Sequence, residues 1–319
     1  MTSRRYIQFL GFRIFLAAVV LILPASVYAA KLQVVASIFP ISDMARQVGG
    51  PFVDVTTLVP PGASPHTFEL KPGQVKAFSN ARVFLMIGAG LEFWADSLIH
   101  ASGQHLTTVV LSDGMHLMTS VDPDAAEHPT PPVKPGGAAS APTDAHADLT
   151  ANPHVWLDPK LAEIMVRRIS QAFSAADPPH AADYEKQTQA YLAKLSALDS
   201  HIREAVSRFK IKQFISFHPS WDYFAARYGL TSDGVIEKTP GRNPTPREIT
   251  DIVDIIKSHK IRAVFAEPQL NPRVADVIAR ESGVKVLLLD PLGESTIPGR
   301  DSYIALMLYN LRHMKEAME

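Results

Sequence analysis

Between Asp177 and Phe209 the chain has no glycine and, past the opening Pro178-Pro179, no proline. Tyr184, Thr188, Tyr191, Leu195, Leu198, Ile202, Ala205 and Phe209 recur through it at helical spacing. This reads as one amphipathic helix, with Asp177 as its cap and proline in its first turn. Thirty-odd residues at about 1.5 Å each make a rod of roughly 45 Å. That is long for one domain and about right to run down the side of two. Residues 177–210 are therefore expected to link two lobes. The rival, a coiled-coil dimer helix, asks for a longer stripe.

The segments on either side repeat a strand-helix alternation. Before the rod, strands are expected at 32–37, 53–58, 83–87 and 107–111. Helices are expected at 41–48, 74–80, 92–101 and 160–175. After it, strands are expected at 213–217, 262–266 and 284–289, the last being the most apolar. Helices are expected at 223–227, from the capping box Thr245-Pro246-Arg247-Glu248 to His259, from Asn271-Pro272 to Gly283, and from about Ser302. The fold class is α/β: two (β/α) lobes with mostly parallel sheets, residues 30–176 and 211–319, joined by the rod. One stiff helix between lobes implies small lobe movements.

Two segments break the alternation. Arg4, Arg5 and Arg13 precede the apolar run Ile14–Leu23, and Val27-Tyr28-Ala29 resembles a cleavage site. Residues 1–29 thus read as a secretory signal, too short for a membrane span. No cysteine follows it, so a periplasmic protein with neither lipid anchor nor disulfides is expected. Residues 113–151 are rich in proline, glycine, alanine, serine and threonine and read as a disordered loop. His116, His128 and His146 lie in it among acidic residues. They suit metal collection or a plain solvated linker equally.

The chain carries 31 basic and 32 acidic residues. Setting aside the three signal arginines leaves 28 against 32, a net charge near −4. Nothing there would hold a polyanion, so no nucleic-acid partner is expected, and a monomer is.

Four short stretches set a ligand-type residue beside proline: Ser64-Pro65-His66, Asn152-Pro153-His154, Phe217-His218-Pro219 and Leu289-Asp290-Pro291. Proline fixes its own φ and restrains its neighbour. Three of these residues also follow expected strands, where ligands gather in open parallel sheets. Three imidazoles and a carboxylate form a tetrahedral set that Zn2+ accepts. Mn2+ prefers more oxygen and stands below zinc at a nitrogen-rich site. A zinc hydrolase would need an open position and a base, for which Glu267 is the candidate; four protein ligands leave no such position. An adhesin or structural surface protein with an incidental metal is a third reading, though nothing in the sequence anchors the chain to a surface.

Ser-Pro-His-Thr-Phe-Glu, Asn-Pro-His-Val-Trp-Leu-Asp-Pro, Phe-His-Pro-Ser-Trp-Asp-Tyr-Phe and Asp-Pro-Leu-Gly resemble signature segments of a known family. It is the ZnuA/TroA-like zinc/manganese periplasmic solute-binding proteins of bacterial metal ABC importers. The resemblance runs in order from about Lys31 to the C-terminus. It implies two lobes on a rigid helix, a metal buried between them, and delivery to a membrane permease. Carried over, the ligands are His66, His154, His218 and Asp290. Members favouring manganese or iron tend to have glutamate where His218 stands, so zinc is the expected cargo and Mn2+ or Fe2+ the alternative. Zinc-type members often carry a histidine-rich acidic loop; here that loop is poor in histidine.

Overall fold

The computed structural model describes residues 30–102, 106–119, 151–239 and 241–319. The signal-like segment lies outside them, as do His128 and His146. Strand β1 (Leu32–Ala36) leads into α1 (Phe39–Gly49) and then β2 (Val53–Thr57). Helix α2 (Pro72–Ser79), β3 (Val83–Met86), α3 (Asp96–Ser102), β4 (Thr107–Val110) and α4 (Pro159–Ala176) follow. The strands pair in parallel in the order β2-β1-β3-β4.

After α5 (Ala181–Ser207) come β5 (Gln213–Ser216), α6 (Asp222–Tyr228), β6 (Thr231–Val235) and α7 (Pro246–His259). Then come β7 (Ala263–Ala266), α8 (Arg273–Ser282), β8 (Lys285–Leu288) and α9 (Tyr303–Met318). This sheet is also parallel, in the order β6-β5-β7-β8.

Helix α5 buries Tyr184, Thr188, Tyr191, Leu195, Leu198 and Ile202 along one stripe. Each large apolar side chain so buried contributes roughly 1.5–3 kcal/mol. The stripe rests on α1 and α4 of the first lobe and on α6 and α9 of the second. One apolar cluster therefore runs from Val34 and Phe84 through Leu195 to Trp221 and Met314. A second cluster, around Ile215, Ile252 and Ile278, serves the second lobe alone.

Polar contacts close the same seam. Arg227 on α6 meets both oxygens of Asp199 on α5, at 2.8 and 2.9 Å, and lies 3.2 Å from Asp158 at the start of α4. The Tyr303 backbone N–H at the start of α9 donates to Asp43 on α1 (2.9 Å), and its hydroxyl donates to the Trp156 carbonyl (2.7 Å).

Four local expectations need correction. Asp177 does not cap backbone: its carboxylate receives the Tyr184 hydroxyl at 2.6 Å and contacts the His180 ring. The helix expected from Glu92 begins at Asp96, because Glu92 is spent inside, accepting the N–H groups of Ile87 and Gly88 and the Ser37 hydroxyl. The strand read as most apolar, β8, is an edge strand with Leu288 38 % exposed. Strand β6 was not expected at all, since Thr-Ser-Asp-Gly-Val reads as a turn. Pairing with β5 overrides that local preference, and a Cβ at Gly234 would come 2.9 Å from Ile215 Cδ1, the movable end of a side chain.

Candidate metal centre

His66 sits on a single 3-10 turn (Pro65–Thr67) beyond β2. His154 precedes another 3-10 turn (Val155–Leu157) that leads into α4, whose first turn Asp158 caps through Lys160 N–H at 2.7 Å. His218 lies two residues past β5, and Glu267 directly past β7. The parallel sheets thus bring their carboxyl ends to one place, as expected of open α/β sheets.

Three of the four expected ligands converge there. His154 Nε2 stands 3.1 Å from His66 Nε2 and 3.0 Å from His218 Nε2. The ligand atoms of all three lie within 4.8 Å of one another. Tetrahedral zinc with about 2.0–2.1 Å bonds to nitrogen places neighbouring donors about 3.3 Å apart, so these separations suit one shared ion. The cavity they line measures about 10 Å³, single-atom room, with Pro65, Trp156 and Leu292 among its walls.

The His154 imidazole has its tautomer set from behind. Asn152 Oδ1 accepts from the Nδ1 of His154 (2.8 Å) and from its backbone N–H (3.1 Å). The orientation of that amide is fixed in turn, because its Nδ2 donates to the Pro219 carbonyl (2.7 Å) and Asp222 (3.0 Å), which can only accept. His218 Nδ1 lies 2.7 Å from Glu267 Oε2, a close contact but too bent for an in-line hydrogen bond. The other oxygen of Glu267 accepts the Ser220 hydroxyl at 3.2 Å. With Nδ1–H bonded to Asn152, the His154 ring turns its Nε2 lone pair toward the cavity.

Electrostatics agree. Burial, reinforced by neighbouring His218, lowers His66 to about 3. The same causes, with His66 added, hold His154 well below the ordinary imidazole value. Both rings are therefore neutral at neutral pH, the form in which an imidazole can bind a metal.

Asp290, the fourth expected ligand, is not brought into this group. Its carboxylate is taken by Arg300 Nη1 (2.7 Å), Gln269 Nε2 (2.8 Å) and the backbone N–H groups of Leu292 and Gly293 (3.0 and 2.9 Å). Arg300, ten residues downstream, is the competitor that the local pattern could not reveal. Sequence reading also missed Asn152 as the partner of His154, although it stands two residues away in the same Asn-Pro-His segment. Among the described residues of the 113–151 segment, the ends are pinned together. Thr119 and Ala151 form an antiparallel bridge, Asn152 N–H donates to the Met118 carbonyl (2.7 Å), and Tyr223 hydroxyl joins both strands.

Known proteins are similar to this chain in sequence and in fold. The chain is 28% identical over 292 residues to the high-affinity zinc uptake system protein ZnuA of Bacillus subtilis, covering 90% of this chain and 88% of that one. It is 26% identical over 296 residues to the zinc-binding lipoprotein AdcA of Streptococcus pneumoniae. That alignment covers 91% of this chain but 56% of AdcA, so the chain spans about half the length of that relative. A crystal structure of ZnuA superposes with a TM-score of 0.77 at 27% identity, covering 91% of this chain and all of that one. Residues 34–317 match the family described as zinc-uptake complex component A, periplasmic, and the chain belongs to that family.

Proposed function

We propose that this protein captures Zn2+ outside the cytoplasm and delivers it to the permease of an ABC importer, holding the ion with His66, His154 and His218. The observation that carries this reading is the meeting of three imidazoles, two buried and one half-buried, around a one-atom cavity, with His154 Nδ1 bonded to Asn152 and His218 Nδ1 beside Glu267. The relative ZnuA is named for zinc uptake and AdcA for zinc binding, and a nitrogen triad ranks zinc above manganese. The segment 1–29 serves as the export signal, and the protein works as a monomer. Hydrolysis is disfavoured by Glu267 itself: one oxygen holds Ser220 and the other faces His218, which leaves no base disposed toward a water.

The test is chelator competition on metal-stripped protein. Alanine at His66, His154 or His218 removes a bond to the ion and should cost more than the roughly 10–100-fold typical of groups that act through a ligand. Glu267→Gln should cost at most that smaller factor. The reading is wrong if a histidine variant holds zinc like the parent, or if Glu267→Gln proves the worst of the set.

A further inference from the structure

The turn after β7 contains a group that neither the triad nor the fold explains. Gln269 donates Nε2–H to Asp290 Oδ1 at 2.8 Å. Asp290 is itself anchored by Arg300 and by two backbone N–H groups, so it presents acceptors in a fixed place. The amide cannot be reversed, because its carbonyl would then face a carboxylate oxygen. Its Oε1 is left buried and without any hydrogen-bond partner. Gln269 also lines the cavity of the three histidines, between Glu267 and Leu270. The same cavity is walled by Ser64, Trp156, proline and leucine side chains and the three imidazoles, yet no donor reaches this oxygen, and the Trp156 N–H is already given to the Pro291 carbonyl. A buried acceptor without a donor is costly unless positive charge or a bound donor comes to meet it.

We propose that Gln269 supplies the oxygen partner at the fourth coordination position of the cargo ion, and that Asp290 aims this amide instead of touching the ion. The inference rests on the reading that the histidine triad holds the metal. It assigns separate work to three residues: Arg300 fixes Asp290, Asp290 orients Gln269, and Gln269 faces the ion. It also makes the donor set neutral, with three imidazoles and one amide. The ion keeps its full double charge in the site, and release is not held back by a carboxylate.

The experiment compares metal-stripped parent, Gln269→Leu, Asp290→Asn and His154→Ala by zinc competition and by the visible absorption of the Co2+-substituted forms. Gln269→Leu removes a bond to the ion, so it should weaken zinc by more than about 100-fold, change the cobalt spectrum in position and intensity, and leave the metal-free melting temperature close to the parent's. Asp290→Asn, which keeps an acceptor for the amide, should cost less than His154→Ala. Should Gln269→Leu fold poorly, Gln269→Ala takes its place in the same assays. If Gln269→Leu binds zinc and shows the cobalt spectrum as the parent does, the inference is overturned while the triad stands. It is also overturned if Asp290→Asn matches His154→Ala and Gln269→Leu has no effect, because Asp290 is then the ligand. If His154→Ala too is silent, the triad reading itself has failed.

Discussion

Replacing Arg227 by methionine tests whether the two lobes are riveted or merely adjacent. The side chain is 21 % exposed, and its chief partner Asp199 is 12 % exposed. Both oxygens of Asp199 meet the guanidinium, and Asp158 shares it from the start of α4. Although burial raises Asp199, the hydrogen bonds from Arg227 and Tyr228 more than offset it and hold the carboxyl below its usual value. Removing one partner of a fully buried pair costs about 3–5 kcal/mol. Here solvent reaches the edge of the pair, and Tyr228 and Arg203 remain beside Asp199, so about 2–3 kcal/mol is expected, well above the 0.2–1 kcal/mol of an exposed pair. For a chain of this size that is a fall in melting temperature of about 3–5 °C. The assay is urea and thermal unfolding of metal-free protein at neutral pH, with Asp199→Asn and the double variant completing a cycle. A single transition should persist, because the apolar cluster crosses the seam. A loss below about 1 kcal/mol, or an equal loss with Asp199 already replaced, would refute the reasoning.

Asn152→Ala should lower zinc affinity by about 10–100-fold through loss of the His154 Nδ1 partner, read by chelator competition; parent-like affinity would show that the ring needs no such support. Joining Thr119 to Ala151 through an Asn-Gly turn should leave the fold and one tight zinc intact, because the antiparallel bridge already holds those ends together. Loss of the tight site would put a ligand in the removed segment, where His128 and His146 lie. Acid should weaken the metal-free fold through His66. Its folded value is about 3 against about 6.5 unfolded, so its stability contribution is full above about 6.5 and is lost as pH falls toward 3. Asp43, Glu92 and Glu237 are raised by burial and push the other way. The check is therefore a comparison: His66→Gln should lose less stability between about pH 7 and pH 5 than the parent, and identical slopes would contradict it.

What could be read from the chain was what depends on near neighbours. The Thr245–Glu248 capping box forms with both reciprocal bonds, and Ser302 caps α9 through Ala305 N–H. The glycine-free run became α5 because its stripe and its helix-forming residues point the same way. Strand β6 was illegible because its reason for being extended lies in β5, whose paired residues stand 18 or 19 positions earlier. The diversion of Asp290 was hidden for a similar cause. A carboxylate beside proline at a strand exit has the same local pattern whether it faces a metal or an arginine, and Arg300 is recognisable as its partner only once the chain is folded. The three histidines were legible because each carries its own restraint: the prolines beside them hold the backbone, and burial does the rest.

Helices α5 and α9 both lie across the seam, and Trp156 of the first lobe donates its indole N–H to the Pro291 carbonyl of the second. Such a body should keep its outline whether laden or empty. On the proposed function, a transporter that receives it would get no signal from a jaw snapping shut, and would have to sense the load by touch at the mouth of the cleft. There, a bridged triad and a bare one differ by the order and charge of a few side chains. Futile docking by the empty form is then set by chemistry at that rim, not by shape, and the mouth rather than the hinge is where selection would tune delivery.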